Sequence, residues 1–593
     1  MTIKLPKFIF EFDSENCSLA FTSENIFPAP FIRENASFQI IILGNPILNE
    51  KINHESIARY FLLNGADNNK FIESINGEYL IIFLEKKKNN LFLINDRFTS
   101  IPVYYYISKN KLIGAHKYSD LIPIASRDSR FKLQKNNFFE FLWFRRIHND
   151  TTYDNLIRYL KASRILTFGS NGLDIFTYWA PSFKKNNSLS LTDSATMLSN
   201  EIISSIDRKI DRSKDQTINL FLSGGMDTRT LLAAFIESNI ENPACYTLGF
   251  SEEGEYKTSK LLTEMSNSEH HFIQLPQDSY DLFWEEKRKL SGGFHHQLMN
   301  IFIGLENNFD SSKDIFFHGH GFDYLFQGMY LPVDPITIGG KPTHFKRITN
   351  LNNIDNFSSY YCNNVPYRTW RLDVSSYLNK EHKDMMMEDL YLKIKDIEIE
   401  GQNYANNNYD LWEYMMIHTI SRHYSQTDVM GMGIYGEQRK VANDNKILDL
   451  YLSLPIEHRL YARILRAALR KMSPDFSKTV SANTGYKIDA SPMELTTYFG
   501  VKKIMRTITG NKKYSGPLAK DRTWPDDDEQ VRVRKRLNKR VMNLHNSEYL
   551  RDAMPYFNFE KLKNDSDDWL NNKPGGGHFL ICLFSIEEFL RSL

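Results

Sequence analysis

Leu222-Ser223-Gly224-Gly225-Met226-Asp227-Thr228-Arg229 decides how this chain is read. Thr217 to Leu222, leading into it, reads as a strand. Thr228 to Glu237, following it, reads as a helix with Leu231, Leu232 and Phe235 on its buried side. The two glycines let backbone N–H groups approach an anion. The helix N-terminus behind them adds the positive end of its dipole. Ser223 and Thr228 add hydroxyl donors. A carboxylate among such groups repels a phosphate unless a cation stands between them, so Asp227 makes sense chiefly as a Mg²⁺ ligand. The set suits a pyrophosphate with its metal. No Gly-Lys-Ser/Thr ending follows, which excludes a Walker loop. The plain alternative is a strand-to-helix turn in which glycine serves the geometry and Asp227 caps the helix.

Working outward, Ala244 to Phe250 reads as a second strand. Strand, glycine loop, helix and strand make a βαβ unit and imply a parallel sheet. Upstream, Leu198, Ile202, Ile206 and Ile210 recur every fourth residue, as on an amphipathic helix behind the polar linker Lys184–Ser188. The first ~180 residues are β-rich. Phe38–Leu43 is an apolar run that Gly44-Asn45-Pro46 is expected to end. Tyr79–Leu84 and Leu91–Ile94 form a hairpin across a charged turn and should be buried on both faces. The rest of the chain is mostly helical in pattern. Arg532, Arg534, Lys535, Arg536, Lys539 and Arg540 surround an apolar stripe, so 531–544 is expected to be a helix with a basic outer face. That face is either simply solvated or fit for an acidic partner.

At 593 residues the chain is too long for one core and should hold two or three domains. Lys plus Arg (73) balances Asp plus Glu (72), so no global charge argues for nucleic acid. The four cysteines are scattered without a CxxC pair, which argues against a disulfide framework or a zinc site. No signal-peptide core and no long apolar run is present, so a cytoplasmic, non-membrane protein is expected.

Ser223-Gly224-Gly225-Met226-Asp227-Thr228 resembles the pyrophosphate loop of ATP-pyrophosphatase enzymes, in particular asparagine synthetases and their relatives, the β-lactam synthetases and lasso-peptide macrolactam cyclases. Other segments are similar in family order. Asn76-Gly77-Glu78-Tyr79 through Asn95-Asp96-Arg97 to Val103-Tyr104-Tyr105 resembles the family's N-terminal domain. His318-Gly319-His320-Gly321-Phe322-Asp323 resembles its second loop, and Tyr435-Gly436-Glu437-Gln438-Arg439 its later acidic segment.

The resemblance implies an α/β protein in three parts. Residues 1–185 would form an antiparallel sandwich of the N-terminal-nucleophile (Ntn) hydrolase type, 186–500 an ATP-pyrophosphatase parallel-sheet domain, and 501–593 a helical extension. It implies ATP and Mg²⁺ as ligands. Leu222, Ser223, Gly224, Gly225 and Thr228 would hold pyrophosphate, Asp227 and Asp323 the metal, and Leu248 and Gly249 the adenine. Gly319 and Gly321 would let the backbone approach the nucleotide. His320 stands where relatives carry a residue associated with the attacking amine, and an imidazole of ordinary pKa about 6.5 can take a proton near neutrality. Glu437 would support it, or else pair with Arg439.

Two departures shape the expected function. Thr2 stands where a glutamine-dependent relative needs cysteine, and Gly44-Asn45-Pro46 stands where an Asn-Gly-Glu glutamine contact is expected. The N-terminal domain is therefore expected to be inactive, the amine coming from the substrate. Asn483 and Ala462 replace family lysines, leaving Lys487 or Arg463 to supply charge. The expected activity is AMP-forming amide ligation of a small-molecule or peptide carboxylate, with macrolactam cyclisation or a nucleotide-binding pseudoenzyme as alternatives.

Overall fold

The computed structural model describes residues 3–296, 298, 301–338, 340–365, 372–422, 425–482, 485–509, 524, 527–571 and 575–593. Up to Thr177 the chain builds two antiparallel sheets. Phe38–Leu48, Asn76–Glu85 and Asn90–Asn95 run side by side in the larger one. Their side chains alternate between its faces. Ile41, Leu43, Leu80 and Ile82 meet Phe8, Phe10 and Phe12 of the smaller sheet. Ile40, Ile42, Ile81 and Phe83 meet Ile57, Phe61 and Ile72 from helices on the outer side. A sheet on one face and helices on the other explain why these strands are apolar at every position.

Gly44-Asn45-Pro46 does not end its strand. The strand continues to Leu48, with Gly44 opposite Tyr79 and Asn45 opposite Glu78. Gly44 sits at φ +82°, and a Cβ there would stand 2.3 Å from the Glu78 carbonyl oxygen, so the glycine serves a close strand approach rather than a turn. An Asn-Gly-Glu triplet does exist, at 76–78, directly across from it.

After a helix at Leu191–Lys209 the chain enters a five-stranded parallel sheet. Its strands are β1 (Thr217–Phe221), β2 (Ala244–Gly249), β3 (Glu269–Gln274), β4 (Asp314–His318) and β5 (Glu437–Lys440), in the order β3-β2-β1-β4-β5. Helix α1 (Met226–Glu237) follows β1 and buries Leu231, Leu232 and Phe235. The strand order reverses between β1 and β4, so the loops leaving them part and open a crevice at the C-terminal edge.

The C-terminal helices do not form a separate layer. Helix Pro492–Thr509 runs across residue 501, and Gly577–Leu590, buried on almost every side, shares one core with Phe138 and Phe141 of the N-terminal region. The single basic helix expected at 531–544 is two, Asp527–Val533 and Lys535–Met542, parted at Arg534. Their arginines are tied to neighbouring groups, with Arg532 and Arg536 at the exposed surface. Arg532 donates to the Trp569 carbonyl at 2.8 Å, and Arg536 to the Asp281 carbonyl at 2.9 Å while lying over Trp284. Arg534 donates to the Gln277 carbonyl, and Arg540 to Glu587 and Glu588. Arg532, Lys535, Arg536 and Lys539 all remain exposed. Among the described residues no helix is long and apolar enough to cross a membrane.

The antiparallel and parallel parts are joined through buried charge. Glu78 Oε1 accepts from Lys209 Nζ at 2.9 Å and from the Lys440 backbone N–H at 2.9 Å. Asn76 Oδ1 accepts from the Asn445 backbone at 2.8 Å, and Asn443 Nδ2 donates to Ser100 Oγ at 3.0 Å. The Lys209 side chain is 1% exposed. Glu78→Ala would strand that ammonium, and we expect a loss of about 3–5 kcal/mol in urea unfolding. A loss below about 1 kcal/mol would show that the pair does not hold the parts together.

Candidate functional site

The crevice between β1 and β4 is a cavity of about 510 Å³, within the ~300–1,000 Å³ of small-molecule sites. Ser223, Gly225, Asp227 and Thr228 line one side, and Gly319, His320 and Asp323 the other. Phe221, Phe302 and Met432 form an apolar wall. Helix α1 begins at Met226, two residues before the sequence pattern suggests, with Gly225 as its N-cap and no side-chain cap. Its first N–H groups therefore face the cavity side of the loop. The loop holds itself weakly. The Ser223 N–H donates to Thr228 Oγ1, and the Gly225 N–H to Ser223 Oγ, both at 3.3 Å. Bonds at the long end of the range are readily exchanged for an anion.

Two glycines have steric reasons to be there. Gly224 is left-handed at φ +66°, and a Cβ on it would meet Thr258 at 2.8 Å. A Cβ on Gly319 would stand 2.6 Å from the Asp227 Cβ, so the second loop passes directly against the first carboxylate.

Asp227 and Asp323 share the cleft. Burial, then the charge of Asp323, pushes Asp227 well above the carboxylate range, and a 2.6 Å bond from Gln327 Nε2 only partly opposes this. Burial raises Asp323 to about 6 against backbone N–H bonds from its own turn. A raised pair facing open volume fits a divalent cation, which would pull both back to the ionised form.

His320 does not have the expected poise. Burial, then Lys440, lowers it to about 3, and its Nδ1 is 2.8 Å from Nδ1 of buried His318. One of these nitrogens carries a proton and the other accepts it, so the ring is a neutral hydrogen-bonding group rather than a base near neutrality. Lys440, at the cleft end of β5, is itself lowered to about 8 by burial.

Lys487 lines the cavity and pairs with Glu494 at 2.6 Å. Arg463 is exposed, whereas Arg466, one turn on, reaches the cavity and donates to the Ala490 carbonyl at 2.6 Å. Glu437 is not brought to the site. It begins β5, three residues or about 10 Å from the cleft edge, and pairs with Arg439. Leu222, Leu248 and Gly249 flank the site without lining it. The Leu222 carbonyl accepts from Thr247 and Ser259 at 2.8 Å each, and the Gly249 carbonyl from the Leu275 N–H at 2.8 Å. Gly321, at φ +100°, turns the second loop against Ala442. The Tyr324 hydroxyl, on the residue after Asp323, accepts from Arg146 at 2.6 Å. Thr2 and Asn483 lie outside the described residues.

Sequence reading missed Arg229. Wholly buried, its guanidinium donates to the carbonyls of Gly224 at 2.8 Å, Phe476 at 3.0 Å and Val480 at 2.8 Å, and to Thr479 Oγ1 at 2.6 Å. It fastens the glycine loop to the segment that carries Ser481 and Lys487. An arginine in the first turn of an otherwise apolar buried face was the available signal.

A second cavity, about 100 Å³, lies beside Glu78, Asn45, Ser100, His116 and Lys440. It is below the usual small-molecule range. Cys17 does not line it and instead approaches the Lys86 carbonyl.

Residues 49–179 match the family model of the glutamine amidotransferase domain. That match ties the antiparallel part to amidotransferase enzymes and covers a minor part of the chain. No curated protein matches the chain. Among solved structures, the allosteric regulatory enzyme of purine biosynthesis is 9% identical, over 46% of this chain and 74% of that one, with a TM-score of 0.20. Glutamine phosphoribosylpyrophosphate amidotransferase from B. subtilis, complexed with ADP and GMP, is 8% identical, over 47% and 64%, with a TM-score of 0.18. At scores this low the likeness carries no argument.

The raised carboxyl has a pH signature. Asp323 holds its proton more tightly folded (about 6) than unfolded (3.8), so its contribution is complete below pH 3.8 and is lost as pH rises through 6. Asp323→Asn should therefore stabilise the ligand-free protein at pH 7.5, by on the order of 1 kcal/mol after solvent screening in the cleft. The gap should close towards pH 4 in thermal unfolding. His320 has the opposite sign: its contribution is complete above pH 6.5 and is lost as pH falls towards 3.

Proposed function

We propose that the protein is an ATP-dependent amide ligase of the asparagine-synthetase type, forming AMP and pyrophosphate without a working glutaminase. The observation that carries this is the raised carboxyl pair Asp227 and Asp323, facing a glycine loop at the switch point of a parallel sheet. Phosphates and a divalent cation together supply what that cleft lacks, anionic oxygens for the loop and positive charge for the acids.

Ser223, Gly225 and Thr228 bind the leaving pyrophosphate through N–H and hydroxyl donors. Asp227 and Asp323 would hold Mg²⁺, which would supply positive charge to the phosphates. The apolar wall of Phe221, Phe302 and Met432 suits the base. A substrate carboxylate oxygen attacks the α-phosphorus, the α–β P–O bond breaks and pyrophosphate leaves. An amine nitrogen then attacks the acyl carbon, the bond to AMP breaks, and the proton lost by the nitrogen passes to the departing AMP phosphate or to water. His320, held neutral, orients the amine as a hydrogen-bond acceptor, and the amine enters as its free base. Arg466 and Lys487 supply fixed positive charge to the adenylate and the departing phosphates, which favours catalysis over nucleotide binding alone.

The absence of glutaminase activity rests on the antiparallel part. Glu78 is committed to Lys209 and Lys440, the cavity beside it is small, and no described cysteine lines it. The amine therefore comes from the substrate side, within one molecule or from a second.

The test is ATP–pyrophosphate exchange with Mg²⁺ and a pool of small and peptide carboxylates, with and without amines, alongside an assay of glutamine hydrolysis. We expect exchange that requires one class of acid, AMP release only with an amine, and no glutamate from glutamine. Asp227→Ala should reduce exchange at least about 100-fold. ADP in place of AMP, or glutamate released at the rate of product, would overturn the reading.

A further inference from the structure

Where the C-terminal helices meet the loop after helix Trp284–Ser291, outside the residues that line this cleft, His296, Asp527 and His578 converge. Each offers a ligand atom, and the three atoms lie within 4.8 Å of one another. His296 Nε2 is 3.3 Å from Asp527 Oδ1, and His578 Nδ1 is 2.7 Å from Asp527 Oδ2. The two imidazoles stand with ring centroids 5.0 Å apart. The His296 side chain is 4% exposed, and among the described residues its Nδ1 has no hydrogen-bond partner while its Nε2 faces only the Asp527 carboxylate, without good hydrogen-bond geometry. A buried imidazole so poorly satisfied loses solvation with little compensation.

We propose that His296, Asp527 and His578 form a site for a divalent transition cation of the zinc class, which clips the C-terminal helices to the body of the protein. Two imidazoles and one carboxylate are a borderline donor set that suits Zn²⁺ better than Mg²⁺ or Ca²⁺, which want oxygen. Three protein ligands leave one tetrahedral position for water. Asp527 opens helix Asp527–Val533, and His578 stands in the first turn of Gly577–Leu590. The two helix starts are already pressed together: the Gly577 N–H donates to Asp528 Oδ1 at 2.7 Å, and a Cβ on Gly577 would meet the Asp528 backbone at 2.5 Å. His578 Nε2 lies 3.5 Å from Cys582 Sγ, one turn on, which can accept its N–H when Nδ1 binds the metal. Arg145 Nη1, 3.3 Å from the same Nε2, favours the competing arrangement, in which Nδ1–H donates to Asp527 and the three groups form a metal-free hydrogen-bonded relay.

Metal content separates the two. Full-length protein purified without chelator should contain about one zinc per chain by mass spectrometry. After removal of the metal with a chelator, its melting temperature should fall and return on adding Zn²⁺ alone. Co²⁺ added to the stripped protein should give the visible ligand-field bands of a tetrahedral site. His296→Gln and Asp527→Asn should each weaken Zn²⁺ binding at least about tenfold. His271→Ala, at a half-buried histidine paired with Glu269, should leave it unchanged. The Co²⁺ spectrum of the unaltered chain decides the matter even where a variant fails to fold. Absence of retained zinc together with no Co²⁺ bands, or zinc binding equal in His296→Gln, would overturn the site and leave the hydrogen-bonded relay.

Discussion

Two carboxylates cannot share a half-buried cleft without a proton or a cation to separate them. Asp227 and Asp323 are forced into that position by topology: they follow neighbouring parallel strands whose connections leave in opposite directions. The surrounding features serve this placement. Gly319 has no side chain because the Asp227 Cβ occupies its space. Gln327 binds Asp227 with a neutral amide, so the charge of the pair is left to be met from the cavity. Arg229 anchors the loop bearing Asp227 to the segment bearing Lys487, and so sets the width of the cleft. The antiparallel part meets the same sheet from the side, through Glu78 and the last residue of β5.

Buried charge recurs as the means of joining distant segments. Lys209 with Glu78, Arg208 with Asp444 and Arg459 with Glu413 each link parts of the chain far apart in sequence. Such pairs add little net stability over apolar packing, but breaking one is costly. Lys209 with Glu78, and Arg208 with Glu50 at 3.2 Å, cross between the antiparallel and parallel parts, whereas the other pairs fix segments within the later part of the chain. Bonds from Arg532, Arg534, Arg536 and Arg540 tie the C-terminal helices to their neighbours.

Much of this was legible in the sequence where local chemistry decides. The glycine loop, its flanking strand and helix, and the doubly buried hairpin follow from patterns a few residues long. The second loop, His318 to Asp323, was legible only through its resemblance to the asparagine-synthetase segment. What escaped depends on contacts between distant residues. Arg229 meets carbonyls about 250 positions away, and no local pattern announces them. Glu437 was drawn to the site by its neighbours in sequence, although in a parallel strand only the C-terminal end reaches the cleft, and that end is Lys440. Gly44 was read as a turn because glycine serves both turns and close strand approaches. His320 has the residue type of a base, but burial takes its proton away. His296, Asp527 and His578 are too widely spaced to form a linear metal motif.

The central claim is that the carboxyl pair exists to receive Mg²⁺ with ATP. Calorimetric titration of ATP at pH 6.5, with and without Mg²⁺, in two buffers of different ionisation enthalpy, tests it most directly. The account predicts tight binding only with Mg²⁺, accompanied by proton release as the metal displaces the protons held by Asp227 and Asp323. That release should vanish in the Asp227→Asn, Asp323→Asn double variant. ATP binding that is equally tight without Mg²⁺, or that takes place with no proton released, would contradict it.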